Sequence, residues 1–222
     1  MNNNNNNNKL FYFLMFLPLF MVLVLLPFLP DQIPAHYGID GGVDRWGSKY
    51  ETFIFPAITV IFGFIILLIT KYASKQEKSR GNNKKIGINL GIMLLLFFNI
   101  LFFYFLYADF NRVENLSTMP INIQQLSFIL LGVIIIILGI MMPKLEMNSM
   151  IGLRTSWSMK NEITWKKSQQ FGGKSFIIVG LLMIMINLLV HSSISIILSL
   201  VILLGSLPFD SYYTYKVAKK YN

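Results

Sequence analysis

Polar and apolar positions along this chain fall in long blocks rather than in a short alternation. Six stretches carry no Asp, Glu, Lys or Arg: residues 10–29, 53–70, 86–107, 126–142, 175–190 and 193–209. They are 16 to 22 residues long and together make up half of the 222 residues. A helix rises ~1.5 Å per residue, so ~20 apolar residues cross the ~30 Å hydrocarbon core of a bilayer. The pattern predicts an all-α polytopic membrane protein, a six-transmembrane-helix bundle. It excludes a soluble globular domain. It also excludes a β-barrel, whose strands would alternate polar and apolar over about 10 residues.

The last two stretches form one uncharged segment, 175–209. As a single helix it would be about 52 Å long, too long for one crossing. The polar cluster Asn187, His191, Ser192, Ser193 and Ser195 marks a tight turn between two helices. The first stretch is longer than a signal-peptide core and lacks a small-x-small cleavage site before Asp31, so it reads as an uncleaved span. Pro18 should kink it, and Pro27 and Pro30 mark its exit. The Asn tract ahead of it, within 1–9, has no apolar surface to bury and is expected to be disordered.

Charge placement sets the expected orientation. Segments 71–85 and 143–174 each hold six Lys or Arg; with Lys9 and three lysines in 210–222 they account for 16 of 19. The positive-inside rule puts those segments and both termini in the cytoplasm. The formal net charge of +9 is then an inner-face belt meeting anionic headgroups, and not a nucleic-acid surface. Cysteine is absent, which removes disulfides, thiolate nucleophiles and Cys-ligated metals. The spans contain no ionisable residue, which argues against a proton pump or proton-coupled carrier and leaves a passive pathway open. Gly87-x-x-x-Gly91 permits close helix approach, read here as packing within one chain.

Two polar segments exceed what an anchor needs. The outer loop, 30–52, combines Pro30 and Pro34 with Gly38, Gly41, Gly42 and Gly47, a composition for a compact, turn-rich loop. Ser48 and Glu51 have capping-box spacing, so a helix should begin at Lys49, with Pro56 inside it. Asp31, His36, Asp40 and Asp44 include metal-ligand types, but their spacing matches no metal motif; they read as turn and hydrogen-bonding residues. In the inner loop, 143–174, Asn161 or Ser158 caps a short helix expected to end at Phe171 with Gly172 as its stop. Trp157, Trp165 and Phe171 among Lys160, Lys166 and Lys167 describe either an interfacial helix or a docking surface for a cytoplasmic partner. Gly173-Lys174-Ser175 ends like a phosphate loop, but the required upstream glycine is Ser168. No His-Glu-x-x-His or Gly-x-Ser-x-Gly is present, and neither His36 nor His191 reads as a general base.

Both loops carry a resemblance. Leu29-Pro-x-x-Ile-Pro-x-His36 followed by Asp44-Arg-Trp-Gly-Ser-Lys49 resembles a widespread bacterial membrane domain of unassigned chemistry. Gly152-Leu-Arg-Thr-Ser-Trp157 with Asn161, Trp165 and Phe171-Gly-Gly-Lys174 looks like the hallmark of the SdpI family, with Ser156 in place of the usual Pro. The resemblance covers 10–215 and implies a three-span N-terminal membrane domain, 10–107, an outer loop, 108–125, a three-span SdpI-type domain, 126–209, and a basic cytoplasmic tail, 210–222.

The family implies a non-enzymatic immunity protein of the bacterial cell membrane that protects its producer from a secreted toxic peptide. It also implies a receptor that recruits a cytoplasmic transcriptional repressor. No cofactor, metal or direct nucleic-acid contact is implied. Sidedness then makes Asp31, Pro34, His36, Asp44, Arg45 and Trp46 the candidate toxin-sensing residues. Gly152, Arg154, Thr155, Trp157, Asn161, Trp165, Gly172 and Gly173 are the candidate docking residues. A small transporter or housekeeping membrane protein without ion-coupling residues is the alternative.

Overall fold

The computed structural model describes residues 2–38, 40–76, 81–190 and 194–221. Among them are six helices long and apolar enough to cross a membrane, as the block pattern predicts. They are α1 (Asn2–Leu25), α2 (Ile54–Lys75), α3 (Asn82–Asn111), α4 (Ile123–Met141), α5 (Glu162–Leu189) and α6 (Ile194–Lys220). Between α1 and α2 the chain forms an antiparallel hairpin, β1 (Gln32–Tyr37) and β2 (Val43–Ser48). The protein is a polytopic all-α membrane protein with this one small β insertion among the described residues.

Several boundaries differ from expectation. The Asn tract, expected to be disordered, forms the first turns of α1. Nucleation is the costly step of helix formation, and the apolar run beyond it supplies a nucleus; each added asparagine then costs only ~0.5–0.7 kcal/mol relative to alanine. Helix α3 continues past 107 to include Asp109, and α6 continues through Asp210 to Lys220, so ionisable residues do lie within the long helices and both carboxylates are buried. Hydropathy marks where an apolar stretch stops, whereas a helix continues while its backbone ladder is made. The turn residues His191, Ser192 and Ser193, and Lys78 and Arg80 of the basic loop, lie outside the described residues.

The chain divides into two compact units, and the division falls inside α2, α3 and α4. The first unit comprises Met1–Ile65 and Ile92–Ser127. Its core gathers Val22, Leu29, Phe102 and Leu106. Pro18 has no N–H, so the Leu14 carbonyl one turn earlier loses its helical donor. Asn99 of α3 supplies a substitute: its amide donates to Leu14 O at 2.9 Å and to Leu95 O at 2.7 Å, and Asn99 is buried.

The second unit comprises Ile66–Gly91 and Phe128–Asn222. Helices α4 and α5 meet through two glycine pairs set seven residues apart. A Cβ on Gly139 would lie 2.5 Å from the Gly173 carbonyl oxygen, and one on Gly180 would lie 2.5 Å from that of Gly132. These are backbone-to-backbone contacts that only glycine allows. Gly172, expected to stop a short helix, therefore sits with Gly173 inside a continuous α5, and Gly173-Lys174-Ser175 is helical rather than a phosphate loop. Asn187 donates to Ser199 Oγ at 2.7 Å, joining α5 to α6, and Phe171 stacks on Tyr213 with centroids 3.7 Å apart. Ser195, expected in the turn, is buried in the first turn of α6.

Candidate functional site

The hairpin of the first unit is built from the residues the sequence singles out. Pro34 faces Trp46, His36 faces Arg45, and the strand ends are drawn together by Gly38 N–H donating to Gly42 O at 2.8 Å. Gly41 sits at φ +83°, the left-handed conformation that glycine adopts without strain. The segment after α3 braces the tip: Val43 N–H donates to Glu114 O and Leu116 N–H to Gly41 O, both at 2.8 Å. Ser48 caps the 3₁₀ turn Lys49–Phe53 in a capping box with Glu51, and that turn leads into α2. Pro56 thus falls in the first turn of α2, where its missing N–H breaks no helical bond.

Each charged member of the candidate sensing set is paired: His36 with Asp44 inside the set, Asp31 and Arg45 with Lys49 and Glu51 beside it. Lys49 Nζ lies 2.8 Å from Asp31, Arg45 2.9 Å from Glu51, and His36 Nδ1 2.6 Å from Asp44. The bond and charge of Lys49 hold Asp31 below the usual carboxylate range, and those of Glu51 raise Arg45. Arg112 lies over the Trp46 ring, 5.1 Å from its centroid. Asp40 accepts from Gly42 N–H at 3.2 Å. Exposed pairs of this kind contribute only ~0.2–1 kcal/mol each, yet together they fix the hairpin. Among the described residues no three His, Asp or Glu side chains form a cluster that could hold a metal.

Beneath the hairpin lies a cavity of about 470 Å³ that the sequence did not disclose. β1 and the start of α2 form one side, and the last turns of α3 form the other, with Phe55, Phe102, Phe105 and Leu106 as apolar walls. Two polar residues face into it from buried positions, Thr52 and Asp109, each 8% exposed. Thr52 Oγ1 donates to Asp109 Oδ2 over a long 3.4 Å. No Lys, Arg or His among the described residues forms an ion pair with Asp109. Tyr37 closes one edge; burial, with the Asp109 and Tyr104 groups, pushes its phenol up to about 12, so it keeps its proton and donates to Val113 O at 2.9 Å. Single polar residues at the ends of apolar runs, Thr52 and Asp109, were the only sequence signal for this site.

The loop between α4 and α5, in the second unit, is also more ordered than its composition suggests. Gln169 grips it, donating to Leu153 O and accepting from Leu153 N–H, both at 2.9 Å. Gly152 stands at φ +109°, and a Cβ there would meet Gln169 Oε1 at 2.6 Å. Ser158 is buried and accepts from Thr155 N–H at 2.9 Å, while the Thr155 and Thr214 hydroxyls share a 2.7 Å bond. Asn161 is the α5 cap, in a reciprocal box with Thr164, and its amide also donates to Tyr221 O. Asn148 accepts from the N–H groups of Met150 and Ile151, and Asn83 accepts from that of Glu146.

Several candidate docking residues are internal. Trp165 is 2% exposed and donates from Nε1 to Leu145 O at 2.8 Å, so it is neither an interfacial aromatic nor a surface for a partner. Gly172 and Gly173 are buried in packing, and Trp157 leans edge-on against Tyr215. Arg154 is exposed, with no bond to its guanidinium among the described residues. Gln169, Asn148 and Asn83 were missed because buried amides carry no pattern along the chain.

Comparison with known proteins agrees with both loops. Residues 144–209 match the SdpI/YfhL protein family, and residues 13–60 match a domain of unknown function, DUF1648. The chain is 23% identical to Immunity protein SdpI of Bacillus subtilis (strain 168), across 87% of this chain and 88% of that protein. A 43-residue segment is 49% identical to an uncharacterized protein of Archaeoglobus fulgidus, covering 19% of this chain and 24% of that protein. No solved structure matches significantly.

Proposed function

Because the chain belongs to the SdpI/YfhL protein family, we propose that it is a non-enzymatic membrane immunity protein protecting its producer from a secreted toxic peptide. The observation that carries this is the end-to-end similarity to a protein named for immunity, spanning nearly all of both chains. In this reading both termini and the loop after α4 are cytoplasmic, as the distribution of Lys and Arg favours. The hairpin then faces the side from which a secreted peptide arrives. Its internal pairing supports a preformed recognition surface, with Trp46 as its partly exposed aromatic. Asp31, Pro34, His36, Asp44 and Arg45 shape that surface rather than supply free charges.

The same reading gives the cytoplasmic loop a signalling role, docking a transcriptional repressor without any direct contact of this chain with nucleic acid. The docking face is centred on exposed Arg154 and Lys160, with Trp157 at its edge. Arg154 offers the planar donor fork suited to a carboxylate on a partner. Expression in a bacterium sensitive to the toxic peptide, scored for survival, tests the immunity reading. Survival above the empty-vector control is expected; equal killing at normal membrane levels of the protein would overturn it.

A further inference from the structure

The cavity beneath the hairpin holds a buried carboxylate that the fold does not neutralise. Within the first unit every basic side chain near the hairpin is engaged elsewhere: Lys49 on Asp31, Arg45 on Glu51, Arg112 on Trp46, and His36, itself part of the cavity lining, on Asp44. Asp109 alone combines near-complete burial, a place in the cavity wall and no cationic partner among the described residues. Its bond from Thr52 is long and comes from a neutral donor. A carboxylate taken out of water without a counter-charge is expensive to keep. A structural residue at this point would serve as well as asparagine or leucine.

The walls sharpen the chemistry of what would relieve it. Phe55, Phe102 and Phe105 present aromatic surface, which favours both apolar groups and cations. A volume of about 470 Å³ falls in the range of ordinary small-ligand sites, ~300–1,000 Å³. It is large enough for one or two apolar side chains and a charged group, and far too small for a folded domain.

We infer that this cavity binds an apolar peptide segment through a primary ammonium group, with Asp109 as the counter-charge and Thr52 orienting the carboxylate. The inference rests on the immunity reading for the occupant being a peptide. Its chemistry is a lysine side chain or a free N-terminus flanked by apolar residues. The hairpin forms the roof of the site, which explains why its own charges are paired off: free cations there would compete for Asp109.

The test uses the full chain in dodecyl maltoside micelles, which carry no cation. Three tripeptide amides serve as probes: Leu-Phe-Leu with a free N-terminus, its N-acetylated form, and N-acetylated Leu-Lys-Phe. Calorimetric titration, corrected against empty micelles, should show at least one ammonium-bearing probe binding about tenfold more tightly than the uncharged one, as a charge-assisted contact implies. Which of the two is tighter tells an N-terminus from a lysine. Asp109→Asn should bring charged and uncharged probes to equal affinity. Because that variant can fail to fold, the comparison on the unaltered protein stands by itself. Equal affinity of all three probes there overturns the inference. So does displacement of the charged probes by added phosphatidylethanolamine at equal concentration, which would make a lipid amine the occupant. Neither result depends on survival, so the immunity reading stands or falls separately.

Discussion

Gln169→Ala should release the loop between α4 and α5 while leaving the long helices formed. Gln169 is fully buried and replaces water for both backbone groups of Leu153, with two bonds of 2.9 Å. Each such bond contributes a net ~1 kcal/mol, and leaving its partner buried and unsatisfied raises the loss to ~1–3 kcal/mol. The open loop lets water reach both groups, so the difference between closed and open forms should be about 2–4 kcal/mol. Arg154 lies one residue beyond the clamp and is exposed, which makes tryptic cleavage after it a direct report of loop opening. Cleavage follows the population of the open form when reclosing is fast. A loss of ~2 kcal/mol then accelerates it about thirtyfold. Gln169→Glu separates hydrogen bonding from shape: it keeps the volume but turns a second acceptor toward Leu153 O, and should cleave as fast as the alanine variant at pH 8. Rates within threefold of the unaltered protein for both variants would refute the clamp. A wild-type rate for glutamate alone would show that packing holds the loop.

Three further outcomes follow from particular contacts. Single cysteines at exposed Asn111 and Lys144 of this cysteine-free chain should divide under an impermeant thiol reagent on intact cells, with 111 labelled and 144 protected; labelling of 144 alone would reverse the proposed topology. Gly139→Ala should destabilise the α4–α5 pair by about 1–3 kcal/mol, seen as a lower melting temperature in detergent, because its Cβ meets the Gly173 carbonyl at 2.5 Å; an unchanged melting temperature would mean that the helices separate at no loss. Arg154→Ala should abolish toxin-dependent repressor recruitment yet preserve survival when expression comes from an unrelated promoter, and a joint loss would make Arg154 a structural residue.

The six helices were legible because burial in lipid demands uniformly apolar stretches, and that demand is local in sequence. The capping box at Ser48 was legible for the same reason, since both partners lie within one turn, and Asn161 was one of two caps the sequence offered for α5. Gly172 misled because the same residue ends helices and lets them pack closely, and only the side chains of Met142 and Leu153, distant along the chain, decide between the two. Trp165 misled because tryptophan suits both a headgroup layer and a core, and the Leu145 carbonyl that receives its indole is 20 residues away. The cavity was invisible since Thr52 and Asp109 are 57 residues apart and each reads singly as the polar end of a span. The hairpin was half legible: its turn residues pointed to compactness, while its alternation was too short and too polar to announce strands.

The bond between Asn99 and Leu14 has a consequence for assembly. The vacancy that Pro18 creates lies in the first helix, and the group that fills it lies 85 residues further along. During synthesis the first helix is therefore made with one carbonyl open, a debt of several kcal/mol if it faces hydrocarbon alone. The third helix settles it. Until then the first segment does better near water or a polar surface than dispersed in lipid, which gives the chain a physical reason to gather its first three helices before releasing any of them. Restoring a backbone donor by Pro18→Ala would not be a simple gain, since the new N–H and the Asn99 amide would contend for one oxygen. Pro18 and Asn99, distant along the chain, thus act on one carbonyl oxygen.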